Sequence, residues 1–224
     1  MAIRSLNGVA IHITGDWERL AAGWLARAVA AGGHVALSGG SMRAVYALAA
    51  DLEGNWANAH VWLCDERVVP LDDERSNFRL VQESVLTRVR AAPLVHAVEP
   101  APGAEAAAAR YDEELRGVTL DLAVMGIGPD GHTASLFPGA PGLDEHERRA
   151  IAAAPGLEPW VERVTMTPPV FAAAELLLYV AAGEAKAEAV KSAFADDPSR
   201  ATPASLIRGR ETMAILDPAA AALL

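Results

Sequence analysis

The chain has 224 residues, 52% of them hydrophobic, and a net charge of -10. That length allows one large domain or two small ones with a sizeable core, and the acidic balance argues against a general nucleic-acid or acidic-membrane surface. A local basic pocket for a small anionic ligand is still compatible with it. Cys64 is the single cysteine, which rules out an internal disulfide and points to the reducing cytoplasm. Met1–Gly15 lacks the apolar core of a signal peptide, and no run approaches the roughly 20 apolar residues that span a bilayer. The expectation is a soluble, cytoplasmic protein with one domain over residues 1–224.

Asp16 is placed to cap a helix to about Ala31, with Trp17, Leu20, Ala21, Trp24, Leu25, Ala28 and Val29 on one face. Gly32-Gly33 ends it. A strand, His34–Leu37, runs into Ser38-Gly39-Gly40-Ser41, and a helix follows over about Met42–Leu52. His60–Cys64 is the next strand and leads into Asp65-Glu66-Arg67. Ser76 can cap a helix to about Val89. Pro100–Gly103 reads as a linker and Glu105–Leu115 as an alanine-rich helix. The apolar run Leu122–Met125 reads as a buried strand, and it stops at a glycine-rich turn, Gly126–His132. A helical turn is expected at Ala134–Phe137, and Ala140–Glu158 reads mostly as loop. Strands at Arg163–Met166, Leu176–Ala181 and Met213–Leu216, with a helix at Gly183–Phe194, complete the order. Strands alternate with helices, which predicts a mostly parallel sheet covered on both faces.

In such a sheet the carboxyl ends of the strands share one edge, where open α/β sheets place ligands. Five strand ends carry polar or glycine-rich residues: Ser38–Ser41, Asp65–Arg67, Gly126–His132, the strand holding Arg163, and Gly183–Lys186. For any one of them, ordinary turn chemistry explains the residues as well. An acid, an imidazole and several cations together favour a site. Ser38–Ser41 precedes a helix, so its glycines and free N–H groups suit an anion, although no Gly-Lys-Ser/Thr follows as a P-loop requires. Arg43 and Lys186 fall in first helical turns, where a cation opposes the helix dipole unless an anion binds there. Arg67 can pair locally with Asp65 or Glu66, and Arg163, in an apolar strand, needs an anionic partner. Gly126-Ile127-Gly128-Pro129-Asp130-Gly131 matches Gly-x-Gly-x-x-Gly, but Asp130 would sit where a pyrophosphate belongs, so a dinucleotide site is rejected. The turn instead presents Asp130 beside His132, and an imidazole there can act as a general base. The other histidines show no metal-ligand spacing, and no Gly-x-Ser-x-Gly elbow is present.

Ser38-Gly39-Gly40-Ser41, Asp65-Glu66-Arg67-Val68-Val69-Pro70 with Ser76-Asn77, and Gly126–Pro138 with its His-Thr-Ala-Ser-Leu-Phe-Pro ending resemble the 6-phosphogluconolactonase family of the glucosamine-6-phosphate isomerase/deaminase-like superfamily. Arg163–Met166 and Gly183 with Lys186 extend the match. Met42-Arg43 departs from it, because the family usually has Thr-Pro there; Arg43 could supply a contact in place of that threonine. The resemblance implies a Rossmann-like three-layer α/β/α sandwich with a mostly parallel central sheet. It implies a phosphosugar lactone as small-molecule partner, with no nucleic acid, no membrane, no metal and no organic cofactor. It also implies roles. His132 would activate water, with Asp130 orienting the imidazole or contacting the sugar. Arg163 and Lys186 would hold the phosphate, with Gly39, Gly40 and Ser41 around it and Arg67 nearby. Asp65 and Asn77 would shape the sugar site. Two alternatives share the scaffold: an amino-sugar-phosphate isomerase/deaminase with Asp65 as base, and a non-catalytic sugar-phosphate sensor. Sequence leaves oligomeric state open.

Overall fold

A computed structural model describes residues 2–100 and 102–224, with Ala2 and Ile3 described in backbone only. Met1, which begins the stretch read for a signal peptide, and Ala101, within the expected linker, lie outside the described residues. The chain opens with a hairpin, β1 (Ala2–Leu6) and β2 (Val9–Ile13). Its two-residue turn is Asn7-Gly8, with φ of 47° and 77°, the positive values that match strand twist in a tight hairpin. Helix α1 (Trp17–Ala30) follows; Asp16 occupies the cap position, but its side chain caps nothing. Then come β3 (His34–Leu37), α2 (Arg43–Leu52) and β4 (His60–Leu63).

The segment that follows adds an element not expected from sequence. After β4 the chain leaves the sheet and forms a short strand of its own, β5 (Asp65–Arg67). The departure is fixed by Tyr111, whose hydroxyl accepts from the Leu63 amide at 2.8 Å and donates to the Leu63 carbonyl at 2.9 Å. Helix α3 (Asn77–Val81) begins where predicted, with Ser76 accepting from the Arg79 amide, and passes into a π-helical turn at Gln82–Leu86 rather than running on as α-helix. Strand β6 (Leu94–His96), helix α4 (Ala104–Glu114) and β7 (Leu122–Met125) come next. Ala134–Phe137 is not helical. Ala134 takes a φ of 49°, and the Leu136 amide donates to the Thr133 carbonyl at 3.0 Å, closing a tight turn.

The region expected as loop contains a 3₁₀ turn at Pro141–Asp144 and β8 (Ala150–Ala153). The remaining elements are β9 (Arg163–Met166), α5 (Pro168–Ala173), β10 (Leu176–Ala181), a 3₁₀ turn at Glu184–Lys186, α6 (Ala187–Phe194), α7 (Pro203–Leu206) and β11 (Glu211–Leu216). Pro168 therefore starts a helix as well as stopping β9, since its fixed φ suits a first helical position.

The main sheet has the order β1-β2-β11-β10-β7-β3-β4-β6, parallel throughout except for the β1–β2 hairpin. Its strands send alternate residues to two cores. Val35, Leu37, Leu122, Val124, Leu178 and Val180 face α1 and α2. Ala36, Ala123, Met125, Leu177 and Tyr179 face α4, α5 and α6. Burying each large apolar side chain of this kind contributes about 1.5–3 kcal/mol. The layers are helix, sheet and helix, as the family resemblance implies. A second, antiparallel sheet, β5-β9-β8, packs on the α4 side. Arg163 therefore reaches the site from that sheet and not from a fifth strand of the main one. Among the described residues no helix is long and apolar enough to cross a membrane.

Candidate active site

The carboxyl ends of β3, β7 and β10 and the small sheet enclose a cleft of about 240 Å³. All five segments singled out in the sequence contribute to its lining, through Ser38–Met42, Asp65 with Arg67, Gly126–Pro129 with His132, Arg163, and Val180–Ala182 with Lys186. Of the expected site residues, Asp130 and Asn77 stand behind the lining rather than in it.

The glycine turn is closed by its own backbone, with the Gly128 amide donating to the His132 carbonyl at 2.8 Å and the Gly131 amide to the Gly128 carbonyl at 3.0 Å. The imidazole folds over Gly128 so closely that a Cβ there would lie 1.9 Å from His132 Nδ1. Asp130 Oδ1 meets Nδ1 at 2.5 Å and accepts from the His132 amide at 3.2 Å. This contact assigns the proton to Nδ1 and leaves Nε2 as the basic nitrogen. Partial burial raises the Asp130 carboxyl, but its hydrogen bonds with His132 and the charge of that ring outweigh burial and hold it below the ordinary carboxylate range. Lys186 donates from Nζ to the Ile127 carbonyl at 2.8 Å, which ties it to the same turn. Burial lowers the Lys186 ammonium, and Asp130 opposes that.

Gly39 is pressed against Asn77, where a Cβ would come within 2.0 Å of Oδ1, and Gly40 takes a φ of 78° that favours glycine. The Gly39, Gly40 and Ser41 amides donate to no acceptor within the described residues. Three N–H groups at the approach to α2 thus remain available to an anion. Met42 is buried beside Gly126. Arg43 turns away from the cleft to pair with Glu83 at 2.8 Å, so it does not supply the replacement contact considered from sequence.

Arg67 and Arg163 are directly opposite one another in the β5–β9 ladder. Like charges in that register repel. Arg67 Nη1 donates to the Arg75 carbonyl at 2.6 Å, while Arg163 Nη2 donates to the carbonyls of Leu157 at 3.1 Å and Pro159 at 3.3 Å. Each retains a buried Nε with no partner among the described residues. The local ion pair considered for Arg67 does not form; its amide, not its guanidinium, bonds Glu66. Burial lowers the Arg163 guanidinium, and Asp65 opposes that. Two opposed guanidiniums with unsatisfied donors on one cleft are the strongest anion signature here.

Asp65 is held by Ser135 Oγ at 2.6 Å and by Asn77 Nδ2 at 3.2 Å. Ser135 escaped the sequence reading, although it lies in the motif that follows His132. Glu66 did too. Its carboxylate is 1% exposed and accepts from the amides of Arg67, Asn77 and Phe78 and from Ser76 Oγ at 2.6–2.9 Å, anchoring β5 to the start of α3. Burial raises the Glu66 carboxyl and these four donors oppose that. Among the described residues no group of three or more His, Cys, Asp or Glu side chains is arranged to hold a metal ion.

The fold and cleft define an α/β protein that places a carboxylate–imidazole pair and several cations at the carboxyl edge of a parallel sheet. Residues 16–215 match the family described as glucosamine-6-phosphate isomerases/6-phosphogluconolactonase, and the chain belongs to that family. A 6-phosphogluconolactonase from Rattus norvegicus is 39% identical over 210 residues, covering 84% of this chain and 79% of the relative. The crystal structure of a 6-phosphogluconolactonase from Thermotoga maritima superposes with a TM-score of 0.82 at 28% identity, covering 92% of this chain and 98% of that one. A monomeric glucosamine-6-phosphate deaminase reaches the same TM-score at 20% identity, over 96% of this chain and 99% of that one, and so shares the fold.

Proposed function

We propose that the chain hydrolyses 6-phospho-D-glucono-1,5-lactone to 6-phospho-D-gluconate, the hydrolytic step of the oxidative pentose phosphate pathway, with His132 as general base. The observation that carries this reading is the 2.5 Å Asp130–His132 contact on the cleft that also holds the two opposed guanidiniums. His132 Nε2 takes a proton from water as the water oxygen adds to the lactone carbonyl carbon. The tetrahedral intermediate then expels the ring oxygen, which recovers the proton from the imidazolium and becomes the 5-hydroxyl. The former carbonyl carbon ends as a carboxylic acid, which ionises at neutral pH. Asp130 stays ionised throughout and balances the imidazolium. General-base help of this kind is worth about 10²–10⁴-fold. Every group in these steps comes from the chain, the substrate or water.

Arg67, Arg163 and Lys186 hold the phosphate, and the free amides of Gly39, Gly40 and Ser41 complete the grip. Asp65, clamped by Ser135 and Asn77, borders the sugar. Each Asp65 oxygen accepts one hydrogen bond, from Asn77 and from Ser135, which fixes the carboxylate in the cleft wall beside the sugar. The whole chain, 1–224, acts as one domain around this cleft. We place it in the cytoplasm, where buried Cys64 stays reduced.

A lactone-opening assay on 6-phosphogluconolactone, corrected for spontaneous hydrolysis, tests the reading. Turnover with a strong preference over unphosphorylated gluconolactone supports it. Ammonia release from glucosamine-6-phosphate without lactone opening establishes the deaminase instead. Thermal stabilisation by 6-phosphogluconate without turnover of either substrate establishes a sensor.

A further inference from the structure

Between the base and one of the phosphate-binding arginines stands an aromatic ring that the mechanism does not use. Phe137 is 6% exposed and is not part of the cleft lining, so it does not touch substrate. Its ring centroid lies 5.0 Å from that of His132, with the planes tilted by 41°. The Arg163 guanidinium carbon lies 5.5 Å from the same centroid. Gly156 closes another side, with its backbone so near that a Cβ would fall 2.3 Å from the Phe137 Cγ. The segment carrying Gly156 also supplies the Leu157 and Pro159 carbonyls that hold Arg163. One ring is thus in contact with the imidazole, the guanidinium and the loop that anchors the guanidinium.

We propose that Phe137 is a positioning residue that couples the base to the phosphate grip, fixing the His132 ring and the Arg163 guanidinium relative to one another. The inference deepens the lactonase reading above and rests on it. Two physical effects act through the ring. Its face attracts the guanidinium and restrains it where it would otherwise be held by carbonyls on one edge only. Its bulk blocks rotation of the imidazole, which keeps Nδ1 on Asp130 and Nε2 toward the cleft. Leucine fills a similar volume but offers neither a π face nor a flat wall. Tyrosine keeps the ring, and the adjoining cavity of about 440 Å³, which Phe137 also lines, has room for a hydroxyl.

The experiment compares F137L, F137Y and G156A with wild type on 6-phosphogluconolactone and on unphosphorylated gluconolactone. G156A presses on the ring from outside the cleft and serves if F137L does not fold. Loss of the guanidinium contact raises KM about 3- to 30-fold on the phosphorylated lactone alone. Loss of the imidazole restraint lowers kcat about tenfold on both lactones. F137Y restores both values. A ring that only fills space predicts a lower melting temperature with the KM ratio of the two lactones and kcat unchanged; that result, or the absence of either signature, overturns the coupling. Calorimetric titration with inorganic phosphate separates this inference from the reading it rests on. If wild type opens no lactone, the lactonase reading fails, and the phosphate affinity of F137L relative to wild type still decides whether the ring restrains Arg163.

Discussion

Far from the cleft, at the opposite edge of the sheet, the structure makes a quantitative prediction about acid. His34, His60 and His96 form a stacked row with Trp62: His34 and His60 centroids are 4.4 Å apart, His60 and His96 5.3 Å, and Trp62 and His96 3.6 Å. His60 Nδ1 and His96 Nε2 stand 3.0 Å apart, within hydrogen-bond distance. Trp62 Nε1 donates to His34 Nδ1 at 3.0 Å, which requires that nitrogen unprotonated. Of the carboxylates nearby, Asp121 faces His34, and Glu114 stands 3.6 Å from His96 with its side chain 49% exposed. Burial, then the charges of His60 and His34, push the His96 imidazole down to about 4.

The sign follows directly. The unfolded chain takes up a proton near pH 6.5, and the folded one only near 4, so the fold is favoured fully above 6.5 and loses that advantage as pH falls to about 4. At roughly 1.4 kcal/mol for each tenfold change in acidity, the loss is about 3 kcal/mol. Urea unfolding of wild type and H96Q at a series of pH values and constant ionic strength measures it. The wild-type curve should fall about 3 kcal/mol further than that of H96Q between pH 7 and 4. Parallel curves would show that His96 carries no acid-linked loss of stability.

Other perturbations act on the site itself. R67A should raise KM on the phosphorylated lactone at least about tenfold and leave unphosphorylated lactone unaffected, in steady-state kinetics on both substrates. G128A, whose Cβ would collide with His132 Nδ1, should lower kcat about a hundredfold with KM nearly unchanged. E66Q turns an acceptor of four hydrogen bonds into a group with a misplaced donor, and should cost about 2–4 kcal/mol in chemical denaturation, since buried donors lose their partners.

Much of the fold was legible because its signals are local. The strands β3, β7 and β10 are short, largely apolar runs, and Ser76 and Gly32 mark helix ends by their own chemistry. What sequence missed depends on distant partners. Strand β5 is Asp-Glu-Arg, with no apolar periodicity; it exists through its ladder with β9 and the four donors gathered by Glu66. Strand β8 is an alanine-rich segment that becomes a strand only against β9. The opening hairpin did carry a readable sign, the Asn7-Gly8 turn between two strand-like runs. At Ala134–Phe137 the residues suit a helix, but the left-handed Ala134 that a tight turn requires cannot be foreseen from alanine.

The site divided the same way. His132, Asp130, Lys186, Arg163 and the Gly39–Ser41 loop stand out by residue type at strand ends. The opposition of Arg67 and Arg163 is a property of register between strands far apart in sequence, and Ser135 reaches Asp65 across 70 residues. Arg43 misled for the opposite reason: its position at a helix start suggested an anion, while Glu83 from another helix already answered its charge.

In the proposed mechanism, His132 draws the proton from water on a cleft that holds the substrate by its phosphate. Steady-state hydrolysis of 6-phosphogluconolactone by wild type and H132A, with circular dichroism to confirm that both are folded, tests it most directly. H132A is expected to show kcat reduced at least about a hundredfold with KM changed little. A folded H132A that hydrolyses the lactone at a near-normal rate would contradict it.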